Sequence, residues 1–276
     1  QAFRVPGDNR KIFLIASIGS GFAAIFGLPL AGAIYGLEIT ALGKLLYSAV
    51  FPCFVSALVA SQIPELFHIS HPHQYYVVSS FPDFNFTTIS SLIVAGLLFG
   101  FVARIFIASI LFVSKQLNHY VRFMPFRPMV GGILIMLMTI IVGHQKFNGL
   151  GVGSIISSFY IDLPVTDFLG KIIFTATTLG SGFKGGEITP LFFVGTTFGN
   201  ALGQFLPLPI SLLAGLGLVS LFAGASKAPL TSIVLAIELF GADIAQYAVI
   251  TCLLAYLFSG NCGLYIQQNL KLRGEE

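Results

Sequence analysis

Gly21-Phe-Ala-Ala-Ile-Phe-Gly-Leu-Pro-Leu-Ala-Gly-Ala-Ile-Tyr-Gly-Leu-Glu-Ile39 and Leu221-Phe-Ala-Gly-Ala-Ser-Lys-Ala-Pro-Leu-Thr-Ser-Ile-Val-Leu-Ala-Ile-Glu-Leu239 carry one pattern twice. Phe22 answers to Phe222, Ala23 to Ala223, Pro29-Leu30 to Pro229-Leu230 and Glu38 to Glu238, always 200 positions apart (29 to 229, 38 to 238). Ile34/Val234, Leu37/Ile237 and Ile39/Leu239 keep the same register. Chance does not readily place Phe-Ala, Pro-Leu and a glutamate in an apolar run at one offset. The chain therefore reads as two structural repeats.

Composition names the solvent. Of 276 residues, 55% are hydrophobic and 9% charged, and mean hydropathy is +0.90. Soluble domains carry about 25% charged residues, so the deficit points to lipid. Net charge is only +3, and Lys and Arg are scattered rather than gathered in a stripe, which gives no nucleic-acid partner. Cys53, Cys252 and Cys262 show no zinc or redox spacing and read as small buried hydrophobes. No His-Glu-x-x-His, Gly-x-Ser-x-Gly or phosphate loop occurs, so the reading is neither an enzyme nor a cofactor protein. His68, His71 and His73 could gather a metal by spacing, but in their Pro-bearing polar stretch they read as a solvated loop, and no metal site is expected.

Apolar segments run over about 12–39, 45–63, 87–113, 129–143, 168–182, 188–206, 210–226, 230–240 and 244–259. A plain spanning helix needs about 20 apolar residues. Several segments fall short, and others are broken at Pro29, Pro190 and Pro229. Short, interrupted segments with internal symmetry are the trace of a two-repeat transporter or channel. The expected fold is thus all-α and polytopic, with broken and tilted helices. Residues 1–80 would close the first repeat and 81–276 form the second. The stretch 61–85 holds Glu65 and Asp83 but no Lys or Arg, whereas 115–127 holds Lys115, Arg122 and Arg127. The positive-inside rule puts the second in the cytoplasm and the first outside, joined by one span. The N-terminus, Gln1-Ala-Phe-Arg, has no Met or signal peptide. The repeat places a partner of segment 180–199 before residue 1, so an upstream part with a second ion-site loop is expected.

Gly180-Ser-Gly-Phe-Lys-Gly-Gly-Glu-Ile-Thr-Pro190 runs directly into the apolar stretch Leu191–Gly199. Glycines bare the backbone amides, and proline suits a first helical turn. A helix starting there would aim unpaired N–H groups and its positive dipole end at an anion. The loop could equally be a close helix-packing device.

Three separated motifs resemble the CLC family of chloride channels and anion/proton antiporters. Gly186-Glu-Ile-Thr-Pro190 stands where that family has Gly-x-Phe-x-Pro at its anion site. Gly27-Leu-Pro-Leu-Ala-Gly-Ala-Ile-Tyr-Gly-Leu-Glu38 is similar to the segment after the gating-glutamate helix. Ser259-Gly-Asn-Cys-Gly-Leu-Tyr265 resembles the stretch whose tyrosine faces the central anion. The resemblance spans essentially the whole chain and implies a CLC-type inverted repeat and a homodimer with one pathway per subunit. It implies an anion site made by Gly186, the amides of Glu187 and Ile188, Thr189 and the Tyr265 hydroxyl. The family's serine and gating-glutamate motifs do not occur in these residues. Two departures, Glu187-Ile188 in the motif and Ile39 after Glu38, resemble the bacterial fluoride/proton antiporter branch. Phe192 and Phe193 are its expected pore-lining phenylalanines.

Glu187, an ionisable group at membrane depth, is expected to handle protons or ions. Glu38 and Glu238, being repeat equivalents, are expected to share a helix-packing task. Thr189 either faces the anion or bonds its own helix. Lys184 and Lys227 are expected to snorkel to a membrane surface. The function implied is halide transport, fluoride export coupled to proton entry, by a multi-pass protein of a bacterial inner membrane. The alternatives are a passive chloride channel and a non-transporting fragment.

Overall fold

The computed structural model describes residues 7–40, 46–68, 76–260 and 263–264. Eleven helices follow in order among them: α1 (Gly7–Phe26), α2 (Pro29–Thr40), α3 (Val50–Leu66), α4 (Phe86–Tyr120), α5 (Phe126–Val142), α6 (Val152–Ser157), α7 (Asp167–Gly180), α8 (Ile188–Gly203), α9 (Ile210–Ser226), α10 (Pro229–Phe240) and α11 (Ala245–Phe258). Short 3-10 turns, Tyr47–Ala49 and Ala242–Ile244, lead into α3 and α11.

The repeat is visible in three dimensions. α1, α2 and α3 pack on one another, and α9, α10 and α11 repeat that arrangement. Both units break at the same place. Gly27 (φ 69°) and Lys227 (φ 60°) take the left-handed conformation, and Pro29 and Pro229 then open α2 and α10. A left-handed residue ends a helix, and a proline N-terminus forfeits no hydrogen bond because the first N–H groups have no partner anyway. For a lysine that conformation costs about 1–2 kcal/mol, so other contacts must hold it.

The two glutamates do the joining. Glu238 accepts hydrogen bonds from the amides of Leu30 (2.9 Å) and Ala31 (2.7 Å) at the start of α2. Glu38 accepts from the amides of Leu230 (3.0 Å) and Thr231 (2.7 Å) and from the Thr231 hydroxyl (2.7 Å) at the start of α10. Each carboxylate sits near the C-terminal end of its own helix and caps the N-terminus of the other. α2 and α10 therefore run antiparallel, related by an approximate two-fold axis, with the Phe22 and Phe222 rings 6.0 Å apart. The shared packing task expected of Glu38 and Glu238 is this reciprocal cap.

Around the seam lies a core with α9 at its centre, buried from Ser211 to Ser226. A helix apolar on every side must be enclosed on every side. α8 presses against it through Gly195 and Gly199, spaced as Gly-x-x-x-Gly. A methyl on Gly199 would stand 2.7 Å from the Leu213 carbonyl carbon and 2.9 Å from Ala214 Cα. Small residues that let helix backbones touch are the usual means of association where lipid supplies no hydrophobic drive.

Among the described residues, two stretches are long and apolar enough to cross a membrane, Tyr47–Leu66 and Phe86–Tyr120. At 35 residues, α4 is about 52 Å long, well beyond a hydrocarbon core of about 30 Å. It starts at Asn85, whose side chain accepts from the Thr88 amide at 2.9 Å. Residues 115–120, read from sequence as loop, continue this helix. Lys, Gln and His there are compatible with an exposed helical turn, and the first proline comes at Pro125. The six-residue α6 and the 3-10 turns left no apolar period long enough to detect.

Candidate anion site

The loop between α7 and α8 is built by backbone geometry. α7 closes with Ser181 N–H on Thr177 O (3.1 Å) and Gly182 N–H on Leu179 O (3.0 Å), and Gly182 takes φ 90°. α8 begins at Ile188, and its first internal bond runs from Leu191 N–H to Glu187 O (3.3 Å). Upstream of that bond, the N–H groups of Gly185, Gly186, Glu187, Ile188 and Thr189 find no acceptor among the described residues. Pro190 has no N–H to contribute. A Cβ on Gly185 or Gly186 would meet nothing within 4 Å, so the glycines keep open space beside these donors. A run of bare amides at a helix N-terminus is an anion cradle made of partial charges.

The expected site residues spread as follows. Gly186 is exposed at the rim, and Glu187, Ile188 and Thr189 are half-buried at the helix start. Glu187 is the residue before the helix, yet its side chain makes no capping bond and finds no hydrogen-bond partner among the described residues. Its carboxylate is not used up in holding its own helix. Ile188 packs against the main core. The Thr189 hydroxyl makes no bond back to its helix among the described residues, and the residue lines a cavity of about 160 Å³ with Phe192, Phe26 and Tyr76.

The two phenylalanines part company. Phe192 lines that cavity and meets Phe26 (5.3 Å between centroids) and Phe222 (5.7 Å). Phe193 is wholly buried, its ring lying over the Cα of Gly151, where a Cβ would approach to within 2.5 Å. Tyr265 lies outside the described residues, as do His71, His73, Cys262 and the C-terminal tail. Its neighbour Leu264 donates its amide to Ala225 O at 3.0 Å, which brings the approach to Tyr265 against the end of α9.

One expectation is corrected. Lys227 does not snorkel to a surface: it is 4% exposed, and its ammonium donates to Tyr256 O (3.3 Å), Ser259 Oγ (2.6 Å) and Gly260 O. Those acceptors terminate α11, where a cation is favoured by the helix dipole. The same bonds hold the left-handed Lys227 backbone and pin the segment leading to Tyr265. Lys184 is exposed, as a surface role requires.

Sequence reasoning missed four polar residues. Lys171 on α7 is 1% exposed, with its ammonium on Phe147 O (3.0 Å) and Gly149 O (2.7 Å) and 5.0 Å from the Phe193 ring. Asn200, fully buried on α8, accepts from Leu163 N (2.9 Å) and donates to Ser158 O and Ile161 O (both 2.8 Å). Lys146 pairs with Asp167. Only the charge of Lys171 inside an apolar segment was a signal available beforehand.

The fold has counterparts in known proteins. Residues 1–260 match the family described as voltage gated chloride channel. The chain belongs to that family. The family is one of integral membrane proteins, and the reading of an all-α, CLC-type fold stands. A chloride/fluoride channel protein of Pseudomonas syringae pv. tomato is 41% identical over 98% of this chain and 61% of its own length. An H(+)/Cl(-) exchange transporter, ClcA, of Vibrio parahaemolyticus is 27% identical over 99% of this chain and 64% of its own. The crystal structure of a CLC-type fluoride/proton antiporter superposes with TM-score 0.87 at 29% identity, covering 91% of this chain and 63% of that one. The chain thus spans less than two thirds of the length of these family members.

Proposed function

We propose that the chain carries out transmembrane halide transport through a CLC-type pathway, as fluoride export coupled to proton entry. The observation that carries this is the run of unpaired amides from Gly185 to Thr189 at the start of α8. Five donors without a full positive charge can strip water from a small anion without trapping it. The names of the relatives support a halide as cargo and the fluoride/proton antiporter structure supports the coupling.

Glu187 supplies the coupling. Its carboxylate stands at the same helix start as the donors, so a bound halide and an ionised Glu187 repel one another. Unit charges about 4 Å apart at an effective dielectric near 20 repel by about 4 kcal/mol. Halide binding and protonation of Glu187 therefore favour each other, which links proton occupancy to anion occupancy at this helix start. Thr189 and the Tyr265 hydroxyl add donors, and Phe192 borders the dry side of the path. Homodimeric assembly in a bacterial inner membrane, with residues 1–80 and 81–276 falling in successive repeats, completes the reading.

The test is reconstitution of the complete encoded protein in liposomes, with fluoride, chloride and proton movement followed together. Fluoride efflux should drive proton uptake with little chloride flux, and Glu187→Gln should abolish the proton component. Chloride flux at least equal to fluoride flux, without proton movement, would leave a channel and refute the antiporter.

A further inference from the structure

A cavity of about 460 Å³ lies between α7 and the glycine loop. Its wall includes Lys171 and Thr175 of α7, Gly149, and Lys184, Gly185 and Gly186. Lys171 and Thr175 are four residues apart, so they share one helix face. The Lys171 ammonium is buried, and its partners are two carbonyls and a ring face. These groups accept hydrogen bonds but cancel no charge. Asp167, one turn earlier on α7, is engaged by Lys146, and no carboxylate pairs with Lys171 among the described residues. An uncompensated buried cation is expensive, and a counter-anion is what completes it.

Thr175 adds an independent observation. It is 6% exposed, and its hydroxyl has no hydrogen-bond partner among the described residues. The neighbouring hydroxyls of Thr177 and Thr178 return to their own helix, on Ile173 O (2.9 Å) and Phe174 O (2.8 Å). Buried polar groups are nearly always satisfied, so an exception calls for a ligand. A water molecule would satisfy the hydroxyl but leave the charge. An anion does both.

We propose that Lys171 and Thr175, facing the open amides of Gly185 and Gly186, form a second anion site that holds a halide on its way to or from the start of α8. One net positive charge and a few neutral donors suit a small monoanion rather than a phosphate. Lys184 at the rim adds attraction without closing the cavity. The role in transport rests on the halide-transport reading above; the binding site itself does not.

The experiment uses the complete protein, crystallised in sodium bromide so that anomalous scattering locates the anion, and reconstituted for halide flux. A bromide peak is expected about 3.3–3.6 Å from Lys171 Nζ and Thr175 Oγ1, a little beyond ordinary hydrogen-bond lengths because bromide is large. It should vanish in Lys171→Met and persist in Lys171→Arg. The half-saturating halide concentration should rise about five- to twentyfold in Lys171→Met and about two- to fivefold in Thr175→Val, with the maximal rate within about twofold. Thr175→Val changes one atom and controls for misfolding of the lysine variant. Bromide at α8 with none beside Lys171 overturns the site and leaves the transport reading intact. A peak beside Lys171 with unchanged half-saturation marks an adventitious ion only and overturns the role in transport. A peak in a wild-type protein without halide flux supports the site while the transport reading fails.

Discussion

Replacing Glu38 by glutamine separates a structural carboxylate from a proton carrier. Glu38 Oε1 accepts from Leu230 N–H, and Oε2 accepts from Thr231 N–H and the Thr231 hydroxyl. Glutamine keeps one oxygen and puts an NH₂ opposite donors, so at least one bond is lost. The bonds that survive drop from the charge-assisted range of about 1.5–3 kcal/mol to the neutral range of about 0.5–1.5. Loss of the negative charge at the α10 N-terminus removes about 0.3–2 kcal/mol more. Rearrangement around the glutamine offsets part of this sum, since single substitutions rarely cost more than about 4–5 kcal/mol. The expected cost is about 2–4 kcal/mol, or a fall in unfolding temperature of about 3–7 °C for a chain of this size. Glu238→Gln should cost about 1 kcal/mol less, because Glu238 has no hydroxyl partner. Thr231→Val should reproduce that difference. The chain has no tryptophan, but Cys53 and Cys252 are free and buried, so a thiol-reactive fluorophore reports unfolding in detergent. An unchanged transition in Glu38→Gln, together with loss of proton-coupled flux, would refute the capping argument and make Glu38 a proton carrier.

Gly199→Ala should drive α8 and α9 apart, since the added methyl meets backbone rather than a yielding side chain. A cost of about 1–3 kcal/mol is expected, read by the same thiol assay. Lys227→Met should leave the acceptors at Tyr256, Ser259 and Gly260 without their donor, costing about 1–3 kcal/mol, with partial recovery in Lys227→Arg. Halide affinity should fall with it, because Gly260 and Leu264 flank the approach to Tyr265; an unaltered affinity in folded protein would confine Lys227 to stability.

Much of this molecule is legible in one chain because lipid imposes strong local rules. Apolar composition announced the membrane, and Pro29 and Pro229 marked breaks that the helices respect, whereas Pro190, also read as a break, lies in the first turn of α8. The repeat of Phe22, Pro29 and Glu38 at Phe222, Pro229 and Glu238 predicted an equivalence that the reciprocal caps display. The glycine loop could be placed at a helix start from its residue types alone. Its amides could not be counted as unpaired until their surroundings were known.

The sequence by itself determined the apolar helices, the breaks at Pro29 and Pro229 and the glycine loop before α8, because glycine, proline and apolar period act through the few residues beside them. Tertiary structure decided the partners. Glu238 caps an amide 208 residues away, Lys227 turns inward onto α11 rather than outward, and Lys171 lies buried with its ammonium on two backbone carbonyls. A side chain's partner depends on which distant helices pack against its own, and nothing in the local sequence carries that information.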